Sequence, residues 1–245
     1  MSPSAHLDTF TRDHLPPVAQ QPEFIFELPT LQFPVQLNCA TELLDRHILS
    51  GNGERLCIRA PDGVSWTYAD LQQRANQIAN VLVNDMALVP GNRVLLRAAN
   101  KLMLVACWFA VMKAGGVAVA TMPLLRAREL GQIIAKAKVS HALCDVSLRA
   151  ELDSAIAQHP VLRQCVFFGD GSADGLEARM AQQPSHFDNV NTAADDTCLL
   201  AFTSGTTGQP KATMHFHRDV MAICECFPAH VLKATPEDVF IGSPP

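Results

Sequence analysis

The sequence predicts an α/β fold: a parallel sheet flanked on both faces by helices. Three observations predict it. Short, wholly apolar runs suit strands buried on both sides, helical periodicities separate them, and the composition is rich enough in apolar residues to bury a core. Hydrophobic residues make up 48% of the 245 positions and charged residues 18%, too apolar a balance for a chain that stays unfolded. At about 150 residues per domain, this length suits one large domain or two small ones.

Residues 1–40 form an irregular arm. Pro3, Pro16, Pro17, Pro22, Pro29 and Pro34 interrupt it, and with little periodicity it is expected to lie over the rest of the chain. From about Thr41 the pattern becomes regular. Thr67-Tyr-Ala-Asp70 has the form of a capping box with Asp in place of Glu, and Leu71, Ala75, Ile78, Ala79 and Leu82 follow at helical spacing. Val89-Pro90-Gly91 turns the chain into a short buried strand over 94–96. Asn100 is placed to cap a helix over 102–113, Gly115 to stop it, and 117–121 to form the next strand. Residues 127–138 and 147–158 look helical, 142–144 and 165–168 extended. The polar stretch 169–195 predicts a long loop with one helical turn, and 198–203 resumes as a strand. No internal repeat is present.

Composition excludes several functions. Nineteen Lys and Arg against 24 Asp and Glu leave a formal charge of −5, and the pI is near 6.0, so the chain offers no basic face for nucleic acid. The N-terminus lacks the basic start and apolar run of a secretory signal. Residues 102–125 hold a single charge, Lys113, but that charge costs about 2.5–3.5 kcal/mol at a bilayer centre. Gly115, Gly116 and Pro123 also break the stretch into pieces too short to span, so no membrane span is expected. Eight cysteines without a C-x-x-C pair suit reduced core residues of a cytoplasmic protein.

The segment after the last apolar strand carries chemistry. Thr203, Ser204, Gly205, Thr206, Thr207 and Gly208, followed by Pro210 and Lys211, have the make-up of a polyphosphate cradle. Glycines let the backbone approach an anion, hydroxyls donate to its oxygens, and the Lys supplies a mobile positive charge. The bland alternative is a Gly/Ser/Thr loop that merely joins two strands. A Walker A loop does not fit, because Pro210 falls where its second glycine belongs and Ala212 follows the Lys. The G-x-S-x-G elbow of serine hydrolases is absent as well.

Residues 202–211, Phe-Thr-Ser-Gly-Thr-Thr-Gly-Gln-Pro-Lys, resemble the phosphate-loop signature of the adenylate-forming enzymes: acyl- and aryl-CoA synthetases, luciferases and peptide-synthetase adenylation domains. Trp66-Thr-Tyr-Ala-Asp-Leu71 is similar to the family's T-Y-x-E-L helix start. Residues 112–124 resemble its K-A-G helix–strand joint, continued by Arg128-Glu-Leu130, and His217-Arg218-Asp219 stands where it commonly shows His-Arg-Asn. The resemblance spans roughly 40–245 and implies the first part of that family's large N-terminal domain. The flanks at 9–17, 37–45, 214–219 and 240–245 look most like benzoate- and 2-aminobenzoate-CoA ligases.

The resemblance implies an ATP-dependent, AMP-forming acid–thiol ligase. An aromatic carboxylate and ATP would give acyl-AMP and pyrophosphate, and coenzyme A would then displace AMP to leave a thioester. It further implies that residues 203–208 hold the β- and γ-phosphates and that Lys211 offsets their charge. Mg2+ would be reached through Thr206, and His217 would neighbour the acid pocket. Family members run to roughly twice this length, beyond a single core. Their acid-binding aromatic segment, adenine-binding Y-G-x-T-E, ribose-binding Asp, hinge and C-terminal catalytic Lys have no counterpart in 1–245. The chain is therefore expected to form a partial AMP-binding domain over 41–245, inactive alone, exposing surface where the remainder would pack. An aliphatic acyl-CoA synthetase, an amino-acid-adenylating domain and a non-catalytic nucleotide-binding remnant remain as alternatives.

Smaller signals weigh less. His215, His217, Cys224 and Cys226 suggest a metal cluster, but their spacing matches no familiar pattern, and positions 224 and 226 of one helix point to different faces. Arg126 and Arg128 suit a solvated face better than a phosphate. Met103, Trp108, Phe109 and Met112 form a core stripe, and Pro228 is expected to end or kink the last helix.

Overall fold

The computed structural model describes residues 3–203 and 210–242. In the arm, one helical turn, α1 (Phe10–Asp13), is followed by 3-10 turns; a π-helical turn over Thr41–Asp45 then leads into α2 (Arg46–Leu49). A small antiparallel hairpin, β1 (Leu56–Arg59) and β2 (Ser65–Thr67), precedes α3 (Tyr68–Asn80). The α/β alternation follows: β3 (Arg93–Arg97), α4 (Leu102–Lys113), β4 (Val117–Thr121), α5 (Ala127–Ala137), β5 (His141–Asp145), α6 (Arg149–Ile156), β6 (Gln164–Phe168) and the short α7 (Leu176–Met180). Strands β7 (Thr197–Thr203) and β8 (Lys211–Phe216) and helix α8 (His217–Cys226) follow.

Six strands make one sheet in the order β6-β5-β3-β4-β7-β8. The first five run parallel, and β8 pairs antiparallel with β7. Alternation along each strand sends side chains to two cores. Val94, Leu96, Ala118, Leu143 and Val166 face the layer that contains α3, α4 and α7. Leu95, Val117, Val119, Ala142 and Cys144 face α5 and α6. Both faces of the central strands are thus covered, as their uninterrupted apolar runs require.

Local chemistry sets the helix limits. At the start of α3 the Thr67 hydroxyl accepts from the Asp70 amide at 3.1 Å, and Asp70 accepts from the Thr67 amide at 3.0 Å, which completes the capping box. Gly115 stops α4 with φ of +68°, and a Cβ there would lie 2.9 Å from the Val190 side chain. The expected cap of α4 shifts by one residue. Lys101 rather than Asn100 holds the extended N-cap backbone and makes no side-chain capping bond. A 3-10 turn over Val146–Leu148 replaces the start of the helix expected at 147, because the Asp145 carboxylate accepts from both the amide and the hydroxyl of Ser147 and tightens the chain there. The last α-helix ends at Cys226, two residues before Pro228, and continues as a π-helical turn over Phe227–Leu232.

The arm docks by specific bonds, and its end buries Leu37, Cys39 and Ala40 in the α3–α4 core. Leu37 N donates to Thr192 O at 2.9 Å, Ala194 N to Val35 O at 2.9 Å, and Asn38 Nδ2 to Met112 O at 2.8 Å. Nearer its start, Asp196 accepts from the Ala5 amide at 3.0 Å and from the Ser4 hydroxyl. Past the sheet edge, Ile223, Phe227 and Val231 are each more than half exposed. Among the described residues, no helix is long and apolar enough to cross a membrane.

Candidate functional site

The five parallel strands share a carboxyl edge, where α/β sheets present ligand sites. Arg97, Thr121, Asp145 and Thr203 end β3, β4, β5 and β7 along it. Strand β7 leads into the hydroxyl- and glycine-rich segment, and β8 returns from it. Thr203 pairs with Lys211 across the ladder, so both ends of the segment meet at that edge. Thr203 and Lys211 are exposed. Leu200, Phe202, Ala212 and Met214 anchor the two strands on the α5–α6 core below. Ser204, Gly205, Thr206, Thr207 and Gly208 lie outside the described residues.

The same edge carries a buried arginine that sequence reasoning missed, beside Arg126, which it weighed. Arg97 is 1% exposed, and its guanidinium donates to the carbonyl oxygens of Met122 (3.1 Å), Pro123 (3.1 Å) and Leu125 (2.8 Å). It borders a cavity of about 290 Å³ also lined by Leu124, Arg126, Ser147 and Glu151. Arg126 pairs there with Glu151 at 3.0 Å while remaining largely exposed, and Arg128 is exposed too. Lys101 pairs with Asp145, and that hydrogen bond, with those from Ser147, holds the Asp145 carboxyl below the usual range despite the opposing effect of burial. Only the apolar run around Arg97 hinted at its burial.

His217 opens α8 and is wholly buried. Its Nδ1 accepts from the Cys39 amide at 3.1 Å and lies 3.2 Å from Cys39 Sγ. Asp219 accepts from the Phe216 amide at 2.9 Å and caps the helix from which the ring projects. The four residues of the H-x-H…C-x-C pattern do not converge. His215 sits on β8 bonded to the Thr213 hydroxyl at 3.0 Å, and Cys224 is exposed. His217 instead meets Cys39 and Cys198, partners that no local spacing could announce.

Residues 45–245 match the family model described as AMP-binding enzyme. The chain is 27% identical over 215 residues to the benzoate–CoA ligase of Thauera aromatica, covering 88% of this chain and 41% of that protein. Among solved structures, ATP-bound MatB from Rhodopseudomonas palustris superposes with a TM-score of 0.72 at 28% identity, covering 82% of this chain and 39% of that one. The fold is shared with the anthranilate CoA ligase AuaEII in complex with anthranoyl-AMP, at a TM-score of 0.77 and 24% identity, with 83% and 39% covered. The chain thus spans about two fifths of the length of these relatives. With four fifths of its residues inside the family model and its sheet superposing on family structures, the chain belongs to the AMP-binding enzymes, the adenylate-forming acyl- and aryl-CoA ligase family.

Proposed function

We propose that this chain supplies the triphosphate-gripping part of an ATP-dependent ligase that converts an aromatic carboxylic acid to its acyl-AMP and then to its CoA thioester. One observation carries the reading. The β7–β8 pairing holds Thr203 and Lys211 side by side at the carboxyl edge of the parallel sheet, with a hydroxyl- and glycine-rich segment between them. Phosphate oxygens only accept hydrogen bonds, and an exposed ammonium beside hydroxyl and amide donors is a matching set.

In this reading Thr203, Ser204, Gly205, Thr206, Thr207 and Gly208 orient the β- and γ-phosphates, and Lys211 stabilises the charge that gathers on the departing pyrophosphate. The Thr206 hydroxyl would be the protein contact of Mg2+, which would supply positive charge to the same oxygens. His217 neighbours the acid pocket in this reading without lining it, since its ring is buried against Cys39. The aromatic acid is favoured by the benzoate and anthranilate ligases among the relatives. The resemblance assigns adenine recognition and thioester formation to segments with no counterpart in residues 1–245, so the 245 residues alone are expected to bind without turning over.

Equilibrium titration of the chain with Mg-ATP tests this. Binding should follow the triphosphate rather than the base, with GTP and tripolyphosphate competing about as well as ATP. A charge-assisted hydrogen bond contributes about 1.5–3 kcal/mol, so Lys211→Ala should weaken binding by about 10- to 100-fold. Affinity unchanged by Lys211→Ala together with Thr206→Val would remove the segment from phosphate binding. Rapid benzoate-dependent pyrophosphate exchange by the 245 residues would show that they need no further part.

A further inference from the structure

We propose that Cys39, Cys198 and His217 form a binding site for one thiophilic d10 metal ion, of the zinc, cadmium or copper(I) class, which pins the N-terminal arm to the sheet. One ligand atom from each residue lies within 4.8 Å of the other two, and all three side chains are fully buried. They come from three places far apart in the chain: the end of the arm, β7, and the first turn of α8.

Cys198 is aimed by an irregularity in the ladder. Thr197 pairs with Phe216 and Leu199 with His215, so Cys198 is the extra residue of a β-bulge. Regular alternation would send Cys198 and Leu200 to the same side of the sheet. With the bulge, Cys198 packs in the α3–α4 core and Leu200 in the α5–α6 core. The bulge therefore turns a thiol toward Cys39 and His217. On the other side, the backbone that starts the π-helical turn presents both the amide and the thiol of Cys39 to one ring nitrogen, at 3.1 and 3.2 Å. The second ring nitrogen, Nε2, is buried without a hydrogen-bond partner.

The chemistry suits a soft ion. Two thiols and an imidazole in a dry site favour thiophilic metals over Mg2+ or Ca2+, which take oxygen ligands. Binding releases both thiol protons and forms two metal–sulfur bonds and one metal–nitrogen bond, with no change of oxidation state. With metal–sulfur bonds of about 2.3 Å and metal–nitrogen bonds of about 2.0–2.1 Å, a tetrahedral angle separates sulfur from nitrogen by about 3.5 Å. The 3.2 Å between Cys39 Sγ and His217 Nδ1 needs to open by only a few tenths of an ångström. Nδ1 exchanges its bond from the Cys39 amide for the metal.

Titration of the reduced full chain with Cd2+, followed by thiolate-to-metal charge-transfer absorption, tests the site. The expected result is one tightly bound equivalent, two protons released per ion, and a raised melting temperature. Cys39→Ser and Cys198→Ser should each weaken binding by about 100-fold or more, whereas Cys224→Ser, at an exposed position, should leave it unchanged. Absence of a stoichiometric band, or a band that survives loss of both Cys39 and Cys198, overturns the proposal. So does a Cys39–Cys198 disulfide that forms in preference to metal loading in the presence of a thiol buffer. If the variants fail to fold, X-ray absorption on the loaded wild-type chain still decides. A shell of two sulfurs and at least one nitrogen is expected, and a single sulfur or an all-oxygen shell refutes it.

Discussion

Lys113, the lone charge in the most apolar stretch of the chain, offers the sharpest test of the packing. Its side chain is 1% exposed, and its ammonium lies 2.6 Å from both carboxylate oxygens of Asp45 and 3.2 Å from Asn189 Oδ1. At an effective dielectric of about 20, charges 2.6 Å apart attract by about 6 kcal/mol, much of it offset by the cost of taking both ions out of water. The pair adds little net stability, but either partner alone is costly. The two halves differ. Asp45 is 14% exposed and keeps donors from Gln72 (2.7 Å) and Asn189 (2.6 Å) if Lys113 is lost. Lys113 without the Asp45 charge is left with neutral acceptors, Asn189 Oδ1 among them, and no counter-ion in the described contacts.

Asp45→Asn should therefore cost about 4 kcal/mol, within the range for orphaning a buried ion, and Lys113→Met about 2 kcal/mol. The double variant should lose no more than about 1 kcal/mol, well short of the sum of about 6, because no orphan remains. Urea unfolding with unchanged slope measures all three. Burial already lowers the pKa of Lys113 against the pull of Asp45. In Asp45→Asn it falls further below the unfolded value of about 10.4. Between those two values the unfolded chain binds the extra proton, so the stability of Asp45→Asn should recover as pH rises from 7 toward 10. Losses that add to within about 0.5 kcal/mol would refute the reasoning. So would an Asp45→Asn deficit that stays constant with pH.

Two further outcomes follow from the arm and the amino edge of the sheet. Gly91 has φ of +90°, and a Cβ there would lie 2.2 Å from Asp8 O, so Gly91→Ala should cost about 2–3 kcal/mol. It should also open residues 3–40 to limited proteolysis, and an arm that resists cleavage in the variant would contradict the docking. Burial pushes the imidazoles of His6 and His141 below their usual value. The folded chain keeps them neutral while the unfolded chain takes up protons below about pH 6.5, so this stability is complete above that pH and declines as pH falls beneath it. The carboxylates with lowered pKa, Asp8 and Asp145, release their share only at still lower pH. Between pH 7 and 5, His141→Gln should flatten the dependence of unfolding free energy on pH, and an unaltered slope would count against a buried neutral ring.

Local chemistry made most elements legible. The Thr67–Asp70 box, the apolar spacing from Leu71 to Leu82 and the stop at Gly115 depend on residues within a few positions of one another, and each appears in the structure at its expected place. Strand order is a different matter. Nothing near β3 says that β4 and β5 will flank it, since that follows from which helices cover which face. Strand β8 is hidden in Lys-Ala-Thr-Met-His-Phe, where only Met214 and Phe216 hint at a buried side. The H-x-H…C-x-C spacing pointed to a cluster that does not form, while Cys39 and His217, 178 positions apart, touch because the arm folds back. Asn100 missed its cap by one residue because the extended backbone that precedes α4 falls at Lys101.

The antiparallel direction of β8 decides whether Lys211 can serve the segment before it. Had the chain continued the parallel rhythm, a crossover would have started the next strand at the amino edge. Strand β7 is seven residues long, so at about 3.3 Å per residue that start lies about 20 Å from Thr203, far beyond the reach of a Lys side chain to a phosphate held at the carboxyl edge. The reversal puts Lys211 opposite Thr203, with residues 204–210 between them in the sequence. It also makes β8 the sheet edge and starts α8 at the opposite end, where His217 and Asp219 enter the structure. One change of strand direction thus separates the chain's two groups of chemically suited side chains. The Thr203 hydroxyl and the Lys211 ammonium stand at the solvent-exposed carboxyl edge, and two thiols and an imidazole lie in the dry interior at the other end of β8.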